Sequence, residues 1–179
     1  LLASSPFQTR SVLLTESAFQ ALADVIEPRL ANLSVCLVEP GTIEALTGFN
    51  IHRGCLAIGE RPLRITVDAL LARLPAARRL VVLERIANAD NVGGIFRNAA
   101  AFGADAVVLG PGCCDPLYRK AIRVSMGTAM RVPFGHADDW GADLERLRAA
   151  GFTVAALVTG DGAEDVSRYA SAFPPGGRL

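Results

Sequence analysis

Residues 80–134 read LVVLERIANADNVGGIFRNAAAFGADAVVLGPGCCDPLYRKAIRVSMGTAMRVPF, and this stretch decides the fold. Leu80-Val81-Val82-Leu83 is a short apolar run, the pattern of a buried strand. A polar turn follows, in which Asp90 or Asn91 is a natural N-cap for the helix beyond it. Val92, Ile95, Phe96, Ala99 and Phe102 recur at helical spacing and should face a sheet. Gly103 ends the helix, because glycine takes the left-handed conformation without a Cβ clash. Ala106 to Leu109 is a second apolar strand. Strand, helix and strand make a βαβ unit, so the two strands should be parallel.

Such a unit binds ligands at the carboxyl end of its first strand and the start of its helix. Gly93 and Gly94 allow a ligand or another backbone to approach closely there. Arg97 follows Gly93 by one helical turn and shares its face. A capped helix carrying a solvated arginine accounts for the same residues, since N-caps and surface arginines are common.

The spacing Asn-x-Gly-x-x-x-Arg after a strand narrows the choice. Asn91, Gly93 and Arg97, with Ala99-Ala100 and Phe102-Gly103 after them, resemble the first motif of the SpoU (TrmH-like) RNA ribose methyltransferases of the SPOUT superfamily. The likeness continues through Asp115-Pro116, the run Arg123 to Thr128, and Val132-Pro133. One departure is Asn88-Ala89, where that family often has Asp-Pro. The resemblance implies a mainly parallel α/β knot domain and S-adenosylmethionine as methyl donor. It also implies rRNA or tRNA as substrate, a homodimer and a cytoplasmic site of action.

The chain has 179 residues, of which 51% are apolar and 20% charged, and its formal net charge is zero. That composition is ordinary for a globular protein. A strongly basic nucleic-acid-binding tail is excluded, and any such contact must come from a local patch. No apolar run reaches the roughly 18 residues of a membrane span. Four cysteines are present, Cys36, Cys55, Cys113 and Cys114, without a Cys-x-x-Cys pair, so no metal site is expected. Cys36 and Cys55 sit in apolar runs and read as small core residues.

Before the organising stretch lies a small α/β module, residues 1–59. Its expected strands are Ser11 to Leu14, Val35 to Val38 and Cys55 to Ile58. Its first helix should be capped by Ser17 and bury Phe19, Leu22, Ala23 and Ile26; a brief helix is expected near Ile43 to Leu46. Thr47-Gly48 and His52-Arg53-Gly54-Cys55-Leu56-Ala57 resemble the substrate-binding domain that precedes many SpoU catalytic domains, with Arg53 where glutamine is frequent. His52 reads as a structural loop residue. Residues 60–79 read as a linker with a short helix, Val67 to Leu74, and residues 80–179 as the methyltransferase domain.

After residue 134, a helix should run from Asp138 to Ala150, stopped by Gly151, and a strand from Phe152 to Val158. The loop beyond that strand is either a plain turn, with Asp161 as a cap, or, by resemblance, part of the methyl-donor site through Val158, Thr159 and Gly160. The family continues with Gly-x-Glu-x-x-Gly and Ser-Leu-Asn segments that complete the knot. Neither occurs in residues 1–179, so a truncated sequence and weak donor binding by these residues alone are expected.

By the same resemblance Arg97 assists deprotonation of a ribose hydroxyl and Asn91 orients the loop. Tyr118, Arg119, Lys120 and Arg123 form a basic cluster that reads as an RNA-phosphate contact or, equally, as a solvated helix face; Arg53 is a further expected RNA contact. A non-catalytic RNA-binding protein on the same fold is the rival reading. A nucleotide-dependent oxidoreductase would need Gly-x-Gly-x-x-Gly, and the third glycine is absent.

Overall fold

The computed structural model describes residues 5–48, 51, 53–158, 160, 162–165, 167–169 and 176–179. The chain divides into two compact units, Leu1–Leu63 and Arg64–Leu179.

The first unit alternates strands and helices: β1 (Thr9–Leu14), α1 (Glu16–Ile26), β2 (Ser34–Leu37), α2 (Pro40–Thr47) and β3 (Cys55–Gly59). The sheet order is β2-β1-β3, with β1 parallel to β2 and antiparallel to β3. Val12 and Leu14 of β1 pack with Ala18, Ile26 and Leu33 into its core. The α1 cap is Thr15 rather than Ser17: Thr15 Oγ1 accepts from the Ala18 amide at 3.3 Å. Leu22 is 38% exposed and stands off the core. Cys36 is exposed, against expectation. It pairs with Leu13, and side chains alternate across a strand, so it lies on the face opposite Val12 and Leu14. Cys55 pairs with Leu14 on the core side, and burial pushes its thiol pKa up.

The second unit contains α3 (Val67–Arg73), β4 (Leu80–Leu83), α4 (Ala89–Ala101), β5 (Ala106–Leu109), α5 (Arg119–Val124), β6 (Phe134–His136) and α6 (Trp140–Ala149). β4, β5 and β6 form a parallel sheet in that order, with Leu80 opposite Ala106 and Val107 opposite Phe134. The βαβ unit therefore has the strand pairing its apolar pattern implies. All four side chains of β5 are buried, as a central parallel strand covered on both faces requires. Ala106 and Val108 pack with Val67, Leu70 and Leu147 on one side. Val107 and Leu109 pack with Val92, Phe96 and Val132 on the other. Residues 64–79, read as linker, are thus partly core: α3 supplies Val67 and Leu70.

Three features depart from the sequence reading. Phe102 is 77% exposed, because the helix ends at Ala101 and Phe102 lies about 80° around its axis from Val92. Phe134–His136 is a strand that its three residues, one of them glycine, do not announce. Phe152–Val158 is not a strand: only Phe152 forms a bridge, with Arg178. The neighbour of β4 at its start is the segment Arg178-Leu179. The Leu80 amide donates to the Leu179 carbonyl at 2.7 Å, and the Leu179 amide to Arg78 at 2.6 Å. Thr153 donates to Arg178 at 2.8 Å, and among the described residues no ladder partner continues beyond it.

Candidate functional site

The carboxyl ends of β4 and β5 lead into two loops that are laced together. Gly110 donates to the Leu83 carbonyl at 2.7 Å, Arg85 to Pro111 at 2.8 Å, and Cys114 to Ile86 at 2.8 Å. The Cys113 thiol also reaches Leu83 O at 3.4 Å. A Cβ at Gly110 would lie 2.4 Å from the Trp140 ring, so only glycine fits where the loop leaves β5. These bonds fix the point from which α4 departs.

Asn88, not Asp90 or Asn91, caps α4. Its Oδ1 accepts from the Asp90 amide at 2.7 Å and the Asn91 amide at 3.4 Å. Ala89 then occupies the first helical position, where proline is favoured because it needs no N–H partner. Asn91 sits in the first turn with its side chain exposed.

Gly93 is buried and Gly94 half-buried, and the two differ in what surrounds them. A Cβ at Gly93 would lie 2.6 Å from the Ala121 carbonyl oxygen, 2.9 Å from Val124 Cβ and 3.1 Å from the Ser125 nitrogen. Gly93 therefore admits the backbone of α5 rather than a ligand. A Cβ at Gly94 would meet nothing within 4 Å beyond the helix itself. One turn after Gly93, Arg97 stands on the α5 side of α4. It is exposed and makes no hydrogen bond or ion pair with another described residue.

α5 brings the basic cluster to the same place. Lys120 Nζ meets Asp90 Oδ2 at 2.7 Å, and this hydrogen bond, with the charge behind it, raises the lysine pKa. Both side chains are largely exposed, so the pair contributes little to stability. Arg119 and Arg123 are exposed at the two ends of α5. Ser125 is fully buried, its hydroxyl donating to Ile122 O at 2.9 Å and accepting from the Ala129 amide at 3.2 Å. It joins the end of α5 to the short turn Thr128–Met130, a structural role the sequence did not disclose. Met126 follows with φ +54° and 80% exposure.

The paired helices α4 and α5 thus carry Asn91, Arg97, Arg119, Lys120 and Arg123 together. Arg53 belongs to the first unit. Val158 is 68% exposed, and the space around Gly160 is open, with φ +147°. No described contact joins either to Asn91 or Arg97, and Thr159, His52 and Asp161 lie outside the described residues. Among the described residues no cluster of His, Cys, Asp and Glu could hold a metal ion, and no helix is long and apolar enough to cross a membrane.

Comparison with known proteins bears on this arrangement. The profile of the SpoU rRNA Methylase family matches residues 78–176. An uncharacterized tRNA/rRNA methyltransferase of Mycobacterium bovis is 46% identical over 111 residues, which is 62% of this chain and 38% of that protein. The 23S rRNA (guanosine(2553)-2'-O)-methyltransferase of Bacillus subtilis is 34% identical over 61 residues, 34% of this chain and 25% of that one. The structure of an AdoMet-bound rRNA methyltransferase from Sinorhizobium meliloti superposes with a TM-score of 0.67 at 22% identity, covering 82% of this chain and 53% of that one. The chain thus spans about half of that structure and well under half of these two relatives.

Proposed function

This chain belongs to the SpoU rRNA methylase family, and from that premise we propose that its parent protein methylates the ribose 2'-hydroxyl of a structured RNA, rRNA or tRNA, in the cytoplasm. The first unit holds RNA and the second carries out transfer. The reading is carried by Arg97, an exposed cation with no described ionic partner, one turn beyond the tight contact between α4 and α5.

S-adenosylmethionine, when bound, supplies an electrophilic methyl group on a sulfonium. Arg97 favours the deprotonated ribose oxygen by its charge and grips the adjoining phosphate with two parallel N–H donors. Arginine keeps its own proton at working pH, so the proton leaves to another acceptor, for which a substrate phosphate oxygen is suited. Asn91, exposed in the first turn of α4 and unused by its cap, meets the substrate beside Arg97. Arg119, Lys120 and Arg123 hold RNA phosphates from α5, and Arg53 does so from the first unit.

The residues after Phe152 fit the donor in chemistry. Leu157 and Val158 are 90% and 68% exposed, an apolar strip able to cover an adenine, and Gly160 leaves its backbone open to approach. Thr159 completes that assignment. Association of two copies belongs to the same proposal, supported by the exposed apolar side chains of Phe102 and Met126.

The test is radiolabelled methyl incorporation into RNA by the parent protein, beside thermal melting. Arg97→Ala should lower incorporation by on the order of 100-fold or more, since a fixed cation at a developing alkoxide acts mainly in the transition state. Its melting temperature should be unchanged. Arg97→Lys should recover only part, lacking the planar two-pronged contact. Activity of Arg97→Ala within threefold of wild type removes Arg97 from the site. RNA binding without any methyl transfer by the parent protein would favour a non-catalytic binding role on this fold.

A further inference from the structure

The first unit carries a cavity of about 480 Å³, lined among others by Thr15, Ser17, Ile43, Glu44, Ile51 and Arg53. This volume is in the range of small-molecule sites, about 300–1,000 Å³. Part of its wall is apolar: Ile43 is 2% exposed and Ile51 is half-buried. The Glu44 carboxylate and the Arg53 guanidinium, both exposed, line the same cavity. Neither makes a side-chain hydrogen bond or ion pair with a described residue, nor do they pair with each other.

Two opposite charges held apart beside an apolar wall suit a ligand with donors at one end, an anion at the other and a flat apolar face between. A nucleotide has this form. Building on the RNA reading above, we propose that this cavity receives one unstacked nucleotide of single-stranded RNA and selects guanosine. Single-stranded RNA is read through splayed bases, packed on side chains and hydrogen-bonded along their edges. A carboxylate only accepts. Guanine offers it two adjacent donors, N1–H and the N2 amino group. Adenine and cytosine place an acceptor beside their amino group, and uracil flanks its single N–H with two carbonyls, so each turns a lone pair toward Glu44. Arg53 takes the phosphate in a two-pronged contact that does not depend on the base. Ile43 and Ile51 pack on the base face.

The experiment is fluorescence anisotropy of the whole chain with labelled pentaribonucleotides UUGUU, UUAUU, UUCUU and UUUUU. UUGUU should bind about tenfold more tightly than the others, the discrimination expected of one two-pronged contact to a base. Glu44→Gln should bring all four within about threefold of one another, because an amide presents one donor and one acceptor. Arg53→Ala should weaken all four alike and keep the order. In NMR spectra of the wild type, UUGUU should shift the amides of Ile51, Arg53 and Gly54, a readout that needs no variant. Equal binding of the four oligonucleotides, survival of the preference in Glu44→Gln, or unshifted amides around Arg53 would each overturn the proposal. Methyl transfer by the parent protein is scored separately. If these binding results fail while transfer proceeds, only this inference falls; if they hold while transfer is absent, only the transfer reading falls.

Discussion

Gly93 and Gly94 are neighbours on one helix, and substituting each by alanine should move stability in opposite directions. In a helix interior alanine is favoured over glycine by about 0.8–1 kcal/mol. At Gly94 nothing opposes that gain, since the added Cβ would meet nothing within 4 Å beyond the helix itself. At Gly93 the new carbon would lie 2.6 Å from the Ala121 carbonyl oxygen and 2.9 Å from Val124 Cβ. Both atoms belong to the body of α5, not to the far end of a flexible side chain, so the helix itself must retreat. Retreat would loosen the burial of Val92 and Phe96 and the two hydrogen bonds of Ser125. Overpacking of this kind costs about 1–3 kcal/mol or more, and the close backbone contact argues for the upper half of that range. After the propensity gain, Gly93→Ala should lose about 1–2 kcal/mol. At about 2–4 °C per kcal/mol, its melting temperature should fall by several degrees, while that of Gly94→Ala rises by about 2–4 °C. Circular-dichroism melts and urea titrations of the three proteins measure this directly. Gly93→Ala melting at or above wild type would refute the tight crossing of α4 and α5.

Three further substitutions test the supports of the second unit. Asn88→Ala should cost about 1 kcal/mol in urea unfolding through loss of the α4 cap, while Asn88→Asp stays close to wild type. Ser125→Ala should cost about 1–3 kcal/mol, since it leaves the buried Ala129 amide and Ile122 carbonyl without their side-chain partner. Asp105 Oδ2 accepts from the Arg79 and Arg78 amides, each at 2.8 Å, and these two bonds hold its pKa below the usual carboxylate value. A depressed folded-state pKa gives stability that is present above the unfolded value and lost as pH falls through the folded one. Asp105→Asn should therefore flatten the acid limb of the stability–pH curve below about pH 4, measured by urea unfolding at a series of pH values.

The features legible in the sequence are those fixed by short-range pattern. β5 is readable because a parallel strand buried on both faces must be apolar throughout, and AVVL is. The cap of α4 is not, because Asn88, Asp90 and Asn91 all have side chains that can cap and only the backbone path selects Asn88. The exposure of Cys36 is not legible either, because a wholly apolar run such as VCL does not say which side of an edge strand faces the helices. The segment after Phe152 has the composition of a strand, but a strand exists through its ladder. The partner at that point is Arg178, some 25 positions away in sequence, and nothing local signals it.

The Asn-x-Gly-x-x-x-Arg spacing separates, in three dimensions, into different kinds of constraint. Gly93 is fixed by sterics, since any side chain there collides with α5. Asn91 and Arg97 are exposed, and neither is used by the capping or packing of α4. Sterics and charge are nevertheless linked. The closeness that Gly93 permits brings α5 onto α4, and with it Lys120, which reaches Asp90 across the crossing. A wider crossing would carry Lys120 and Arg123 away from Arg97 as a body, because α5 is anchored at its far end by Ser125. The mutual positions of the cations therefore depend on a residue that has no side chain. A glycine four positions before the arginine, about one helical turn, sets that contact beside Arg97 rather than on the opposite face of α4.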